Sequence, residues 1–179
     1  KYEVMEFETP KKAQWYYGAD WGSLVGDPSV LNRSFVLNNC LYVSDEVSGN
    51  WSLDDHASKF NEVPGSMQHK ITADSARPET IEFLNSRGFF IVPAVKGKGS
   101  IEDGIERLKN FERIYIHPRC TNMIEEMRLY CYKQDKRTGK ISTVPEDSNN
   151  HSIDALRYAT EEYVKSVSSP DFLDAFANY

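Results

Sequence analysis

Three aspartates in this chain have the setting that hard-metal chemistry needs. Asp20 closes the aromatic run Trp15-Tyr16-Tyr17-Gly18-Ala19-Asp20, and Asp74 closes Lys70-Ile71-Thr72-Ala73-Asp74. Asp154 follows His151 by three residues, which places the two on one face of a helix. A carboxylate at the end of a buried strand costs stability unless a cation or a hydrogen-bond network satisfies it. Clustered carboxylates repel one another and raise each other's pKa, so a cation is their natural counter-charge. Magnesium-like ions take oxygen ligands in octahedral geometry. Three carboxylates converging from two strands and a helix can bridge two such ions, roughly 3.5 to 4 Å apart, a pair that activates water and stabilises the leaving oxygen of a phosphodiester.

The same residues also have plainer readings. Each aspartate can be an ordinary turn residue at a strand end, and His151 can be a helix-start residue bonded to the backbone. Asp147, just ahead of the helix, is a weaker candidate, as an extra ligand or as a group behind the ligands. Lys96 and Lys98 lie in the loop Lys96-Gly97-Lys98-Gly99, which is either a phosphate contact or a solvated tip. His56, His69 and His117 have no partners at informative spacing and read as structural or surface residues. No Gly-x-x-x-x-Gly-Lys-Ser/Thr loop is present, so the chain itself carries no P-loop nucleotide site.

The elements that must hold these residues follow from pattern. Trp15 to Asp20 reads as a buried strand, followed by a loop through Gly26-Asp27-Pro28 and two further strands, Val30 to Leu37 and Cys40 to Val47, joined at Asn38-Asn39 by a two-residue hairpin turn. Ser52 and Asp55 form a capping-box pair for a short helix that Pro64-Gly65 ends. After Asp74, Pro78 suits the first turn of a helix that stops at Gly88. Phe89 to Val95 is a strand. Ser100, with Asp103 as capping partner, opens a helix burying Ile101, Ile105 and Leu108. Arg113 to His117 is a strand and Asn122 to Leu129 a helix; this alternation implies parallel neighbours in one sheet. Tyr130 to Gln134 and Lys140 to Val144 flank a basic hairpin loop. The last helix starts near Asn149 or Asn150, turns Ile153, Leu156, Thr160, Tyr163, Val164 and Val167 inward, and ends at Pro170.

At 179 residues the chain suits one domain. Residues 1–12 read as a polar arm, 13–168 as the domain and 169–179 as an apolar tail able to dock. Lys1 is not an initiator methionine, which suggests a piece of a longer chain. No apolar run approaches membrane-spanning length, so no membrane partner is expected. Cys40, Cys120 and Cys131 lack metal-ligand spacing and suit reduced thiols in a cytoplasmic setting. A net charge of −6 argues against tight autonomous binding to nucleic acid. Only a local strip, Arg77, Lys96, Lys98, Lys133, Lys136 and Arg137, is available to meet phosphates, with weak and salt-sensitive binding the consequence.

Four stretches together carry a family resemblance. Gly18-Ala19-Asp20-Trp21-Gly22 with Gly26-Asp27-Pro28, then Thr72-Ala73-Asp74-Ser75-Ala76-Arg77-Pro78, then Val95-Lys96-Gly97-Lys98-Gly99-Ser100-Ile101, then residues 150–158 from Asn150 through His151 and Asp154 to Tyr158, resemble the C-terminal nuclease domain of the large terminase subunit of tailed double-stranded DNA phages. The resemblance implies an α/β, RNase H-like fold, a mixed sheet of three antiparallel strands then parallel strands, flanked by helices, with an added β-hairpin. It implies an endonuclease that cuts concatemeric viral DNA during packaging with two magnesium or manganese ions. Asp20, Asp74 and Asp154 match the acidic triad, and His151 a histidine found in part of the family. The hairpin from Tyr130 to Val144 would guide DNA or gate the cleft. The implied partners are double-stranded DNA, an upstream packaging ATPase domain absent from this chain, the portal and the small terminase subunit, and the implied location is the host cytoplasm at the procapsid. Two other readings stand beside this one: a junction resolvase or transposase on the same fold, and a metal-free module that docks DNA or a motor without cutting.

Overall fold

A computed structural model describes residues 1–22, 25–129, 132–134, 141–145 and 150–167. Seven strands form one mixed sheet: β1 (Tyr2–Val4), β2 (Trp15–Asp20), β3 (Ser29–Leu37), β4 (Cys40–Gly49), β5 (Lys70–Ala73), β6 (Phe90–Pro93) and β7 (Arg113–Ile116), in the spatial order β1-β7-β4-β3-β2-β5-β6. The helices are α1 (Leu53–Phe60), α2 (Pro78–Ser86), α3 (Ser100–Asn110), α4 (Thr121–Leu129) and α5 (His151–Val167). Strands β8 (Tyr132–Gln134) and β9 (Ile141–Pro145) pair antiparallel in a separate hairpin.

The β2-β3-β4 meander is antiparallel, and β5 and β6 continue the sheet in parallel beyond β2. Asn38 and Asn39 make the β3–β4 turn with φ of 50° and 57°, the left-handed pair that a two-residue hairpin requires. Strand β7 departs from the expectation that the strands after Asp74 are neighbours. It crosses to the far side and pairs in parallel with β4 and β1. The alternation of strands and helices fixes the parallel sense but not which edge a strand joins.

The polar stretch 1–12 also does more than the sequence suggests. It opens with β1, and Phe7 sets its ring edge-on against Phe35, Tyr42 and His117. Three exposed residues show no alternation, so composition alone reads them as an arm.

Side chains alternate across β2, and that alternation decides where the chemistry points. Tyr17 and Ala19, with Trp21 just past the strand, join one core with Leu31, Phe60, Ile71, Ala73 and Leu84, on the face that carries α1. Gly18 faces the other way: a Cβ there would stand 1.8 Å from the carbonyl oxygen of Ala155 on α5. Asp20 shares that face, two residues on. In β5, Ile71 and Ala73 likewise join the first core, which turns Thr72 and Asp74 toward α5. A second core, with Leu41, Val43, Leu108, Ile114, Ile116, Met123, Ile153 and Leu156, fills the space under α3, α4 and α5.

Local signals set the helix starts. The Ser52 hydroxyl accepts from the Asp55 N–H at 3.3 Å and caps α1. Pro78 opens α2, and Gly88 follows its end with φ of 97°. Helix α3 differs from expectation: Gly99, at φ 85°, occupies the cap position and no side chain caps it. Ile101 is 46% exposed and Val164 40% exposed, so neither belongs to the core assigned from periodicity. His56 is buried between Ser29 Oγ at 2.9 Å and the Ser52 carbonyl at 2.7 Å, and burial holds its pKa low. His69 stacks on Tyr17, and His117 contacts Arg119.

Candidate active site

Because β2 and β5 are parallel neighbours in register Ala19 to Ala73, Asp20 and Asp74 leave adjacent strand ends side by side. The Asp74 N–H donates to the Ala19 carbonyl at 3.0 Å, which extends the ladder into the site. Helix α5 lies against Gly18 and delivers His151 and Asp154 from its first turn. The start of that helix is itself tied down. Asn32 Nδ2 donates to the Ser152 carbonyl at 3.1 Å, and the buried Glu126 accepts the Ile153 N–H at 3.0 Å. Burial raises the pKa of Glu126 and of Glu46, which caps α4 through the N–H groups of Asn122 and Met123.

Asp20, Asp74, Asp154, His151 and Lys96 line one cleft of about 430 Å³, together with Trp21, Asn150, Arg157 and Tyr158. Each of the three aspartates is engaged by a cationic side chain, while Glu161, also in the lining, accepts the Val95 N–H at 3.3 Å. His151 Nδ1 donates to Asp20 Oδ2 at 2.9 Å, and its Nε2 lies 3.4 Å from Asp27 Oδ1. Lys96 pairs with Asp74 Oδ1, which also accepts the Ala76 N–H at 2.9 Å. Arg157 donates twice to Asp154 Oδ1, from Nε at 3.0 Å and Nη2 at 2.8 Å. Trp21 Nε1 donates to the Asp74 carbonyl at 2.6 Å.

Electrostatics show the cost of this gathering. Burial raises the pKa of Asp20, with Asp74 adding to the rise and His151 opposing it. Burial likewise raises Asp154, opposed by Arg157 and reinforced by Asp20. His151 is pushed up to about 9, chiefly by its hydrogen bond to Asp20, and is therefore a cation at neutral pH. Tyr158 is raised by burial and then by the three aspartates, so it stays a neutral phenol.

The donor set is all oxygen from carboxylates with a neighbouring imidazole, the chemistry that suits magnesium or manganese. Among the described residues, no three histidine, cysteine, aspartate or glutamate side chains are drawn together as a ready-made metal cluster. The protein's own cations stand at the carboxylates instead.

In EDTA the His151–Asp20 pair makes stability depend on pH. His151 holds its proton in the fold up to about pH 9 and loses it near 6.5 when unfolded. The stability it contributes is thus complete below about pH 6.5 and lost as pH rises through about 9. Urea unfolding from pH 6.5 to 9.5 should show wild type losing on the order of 2 kcal/mol more than His151→Gln. Parallel profiles would refute the His151–Asp20 ion pair.

The remaining candidates from sequence are placed differently. Arg77 lines a neighbouring pocket of about 260 Å³ with Trp51, His56 and Trp21, so only the Trp21 wall joins it to the carboxylate cleft. Lys98 lines a groove with Val95, Arg107 and Val164. Asp147, Lys136, Arg137 and the tail lie outside the described residues, as does the side chain of Lys133. Sequence reasoning assigned no role to Arg157, Asn150 or Asp27. For Arg157 the signal was there, a cation three residues after Asp154 on one helix.

Comparison with known proteins agrees with the geometry. The profile described as "Terminase RNAseH like domain" matches residues 29–162. The PBSX phage terminase large subunit of Bacillus subtilis (strain 168) is 32% identical over 126 residues, covering 69% of this chain and 28% of its own length. The terminase large subunit of Bacillus phage SPP1 is 37% identical over 99 residues, covering 54% and 23%. This chain therefore spans about a quarter of the length of these curated relatives. The crystal structure of the SPP1 large terminase nuclease domain with bound Mn superposes with a TM-score of 0.78 at 29% identity, over 90% of this chain and 96% of that one. The P22 large terminase nuclease domain shares the fold, with a TM-score of 0.67 at 17% identity over 93% and 92%. The mixed seven-stranded sheet, the carboxylate cleft and the profile match agree: the chain belongs to the RNase H-like nuclease domain family of terminase large subunits.

Proposed function

We propose that this chain is a metal-dependent DNA endonuclease whose cleft is built on Asp20, Asp74 and Asp154, and that its parent protein uses it to cut concatemeric viral DNA during genome packaging. The observation that carries this reading is the convergence of three carboxylates from β2, β5 and α5 in one cleft, each countered by a separate cation. Structure alone gives no reason to gather buried carboxylates at such electrostatic cost. The SPP1 nuclease domain, with its bound Mn, supports the choice of ion.

Asp20, Asp74 and Asp154 would hold two magnesium or manganese ions. When bound, the ions supply an activated water and charge neutralisation at the leaving oxygen of the phosphodiester. The chain's own groups do the rest. His151 orients Asp20 through Nδ1 and carries a proton on Nε2 at the mouth of the cleft. Lys96 sits on a loop and leaves Asp74 when a stronger counter-charge arrives, which frees its ammonium for a DNA phosphate. With a net charge of −6 the duplex must be delivered to the cleft, where Arg77, Lys96, Lys98, Lys133, Lys136 and Arg137 would supply the local basic contribution. In the parent protein a packaging ATPase domain of the same chain, the portal and the small terminase subunit deliver it, in the host cytoplasm at the procapsid.

The test is cleavage of supercoiled plasmid by this chain. Nicked and linear products should form with manganese or magnesium and not with calcium or EDTA. A folded protein inert with every metal would favour a docking module instead.

A further inference from the structure

Arg157 is 4% exposed, and its guanidinium is inserted between α5 and α3. The space exists because position 104 is glycine: a Cβ there would lie 2.9 Å from Arg157 Cδ and 3.1 Å from Nη1. From this slot Nε and Nη2 both donate to the same oxygen, Asp154 Oδ1, while Nη1 reaches the Ser100 carbonyl at 3.5 Å, at the start of α3. Among the described residues, the other carboxylate oxygen, Oδ2, has one hydrogen bond, from Asn150 Nδ2 at 3.3 Å. The two oxygens of Asp154 are thus unequal. One is clamped by Arg157 and the other is lightly held.

We propose that Arg157 is a positioning residue of the nuclease, clamping Asp154 Oδ1 from the slot above Gly104 so that Oδ2 is the oxygen presented to the metal. The role rests on the nuclease reading and adds the group that sets the orientation of one ligand. A planar guanidinium suits it, because two N–H groups on one rigid plane converge on one oxygen and fix where that oxygen lies. A lysine in the slot keeps the charge and loses the fork. Because Nη1 also holds Ser100, the same side chain ties Asp154 to the helix that follows the Lys96 loop.

The experiment compares wild type, Arg157→Lys and Gly104→Ala. It measures manganese affinity by titration calorimetry, the rise in melting temperature that manganese gives, and kcat and KM for plasmid cleavage. Both variants should bind manganese about 10- to 100-fold more weakly, the usual loss when a partner holding a metal ligand is removed. Their cleavage should recover as manganese is raised, with KM for DNA unchanged, a pattern that general loosening of the fold does not produce. A folded Arg157→Lys protein with wild-type manganese affinity would overturn the proposal. If Arg157→Lys fails to fold, Gly104→Ala decides: wild-type affinity there overturns it equally. Wild-type protein that neither binds manganese nor cuts would overturn the nuclease reading, and this role with it.

Discussion

Asp74→Asn should lower metal-dependent plasmid cleavage about a thousandfold and leave the fold intact. A carboxylate shared by the metal site contributes several kcal/mol of charge stabilisation, and about 4 kcal/mol corresponds to a factor of about 1,000 in rate. Among the three aspartates Asp74 separates activity from stability best. Its Oδ1 accepts the Ala76 N–H, a bond that asparagine keeps, and its other partner, Lys96, is 45% exposed and returns to water. Asp154→Asn should abolish cleavage too, but it leaves the buried Arg157 without its counter-charge, at a cost to stability of roughly 3 kcal/mol. Asp20→Asn should also abolish it, while removing the partner that keeps His151 charged. Cleavage rates paired with urea unfolding check all three. An Asp74→Asn protein that cuts at wild-type rate would remove Asp74 from the site.

Gly18→Ala should damage the protein more broadly. The new methyl would fall 1.8 Å from the Ala155 carbonyl oxygen and 2.7 Å from the Ala159 amide nitrogen. Both are backbone atoms of α5, so no side chain can rotate out of the way. Helix α5 must lift off β2 and carry His151 and Asp154 away from Asp20. Overpacking of this kind costs 1 to 3 kcal/mol where neighbours can relax, and against backbone about 3 kcal/mol is a lower bound. Stability and cleavage should fall together. Gly97→Ala, whose methyl meets nothing within 4 Å, should unfold like wild type and serves as the stability control. A Gly18→Ala protein as stable as wild type would contradict the close packing of α5 on β2.

This glycine illustrates what was legible before the structure and what was not. The run from Trp15 to Asp20 announces a buried strand with a carboxylate at its end, yet it does not say that Gly18 is the seat of a helix more than 130 residues away. Asn38-Asn39, Ser52 with Asp55, and Pro78 were readable because each acts within a few residues of itself. Strand β7 was readable as a strand but not in its place beside β4, which depends on which edge of the sheet remains open. The polar β1 was not readable at all, since pairing with β7 rather than its own pattern makes it a strand.

The site divides the same way. Asp20, Asp74, Asp154 and His151 stand out by type and position, and the structure brings all four to one cleft with Lys96. Which cation meets which carboxylate is a tertiary matter. His151 joins Asp20 across 131 positions, and Lys96 joins Asp74 from a separate loop. Arg77 shows that a basic residue close to a motif in sequence can face a different pocket from the motif's carboxylate. It follows Asp74 by three residues but opens α2 and faces the adjoining pocket.

If the three aspartates hold the metal that cuts DNA, manganese must bind at their carboxylates. Anomalous diffraction at the manganese edge, from crystals of this chain soaked in manganese, tests it most directly. Manganese peaks should touch carboxylate oxygens of Asp20, Asp74 and Asp154, with Lys96 turned away from Asp74. A cleft without manganese, in protein that cleaves plasmid when manganese is supplied, would contradict it.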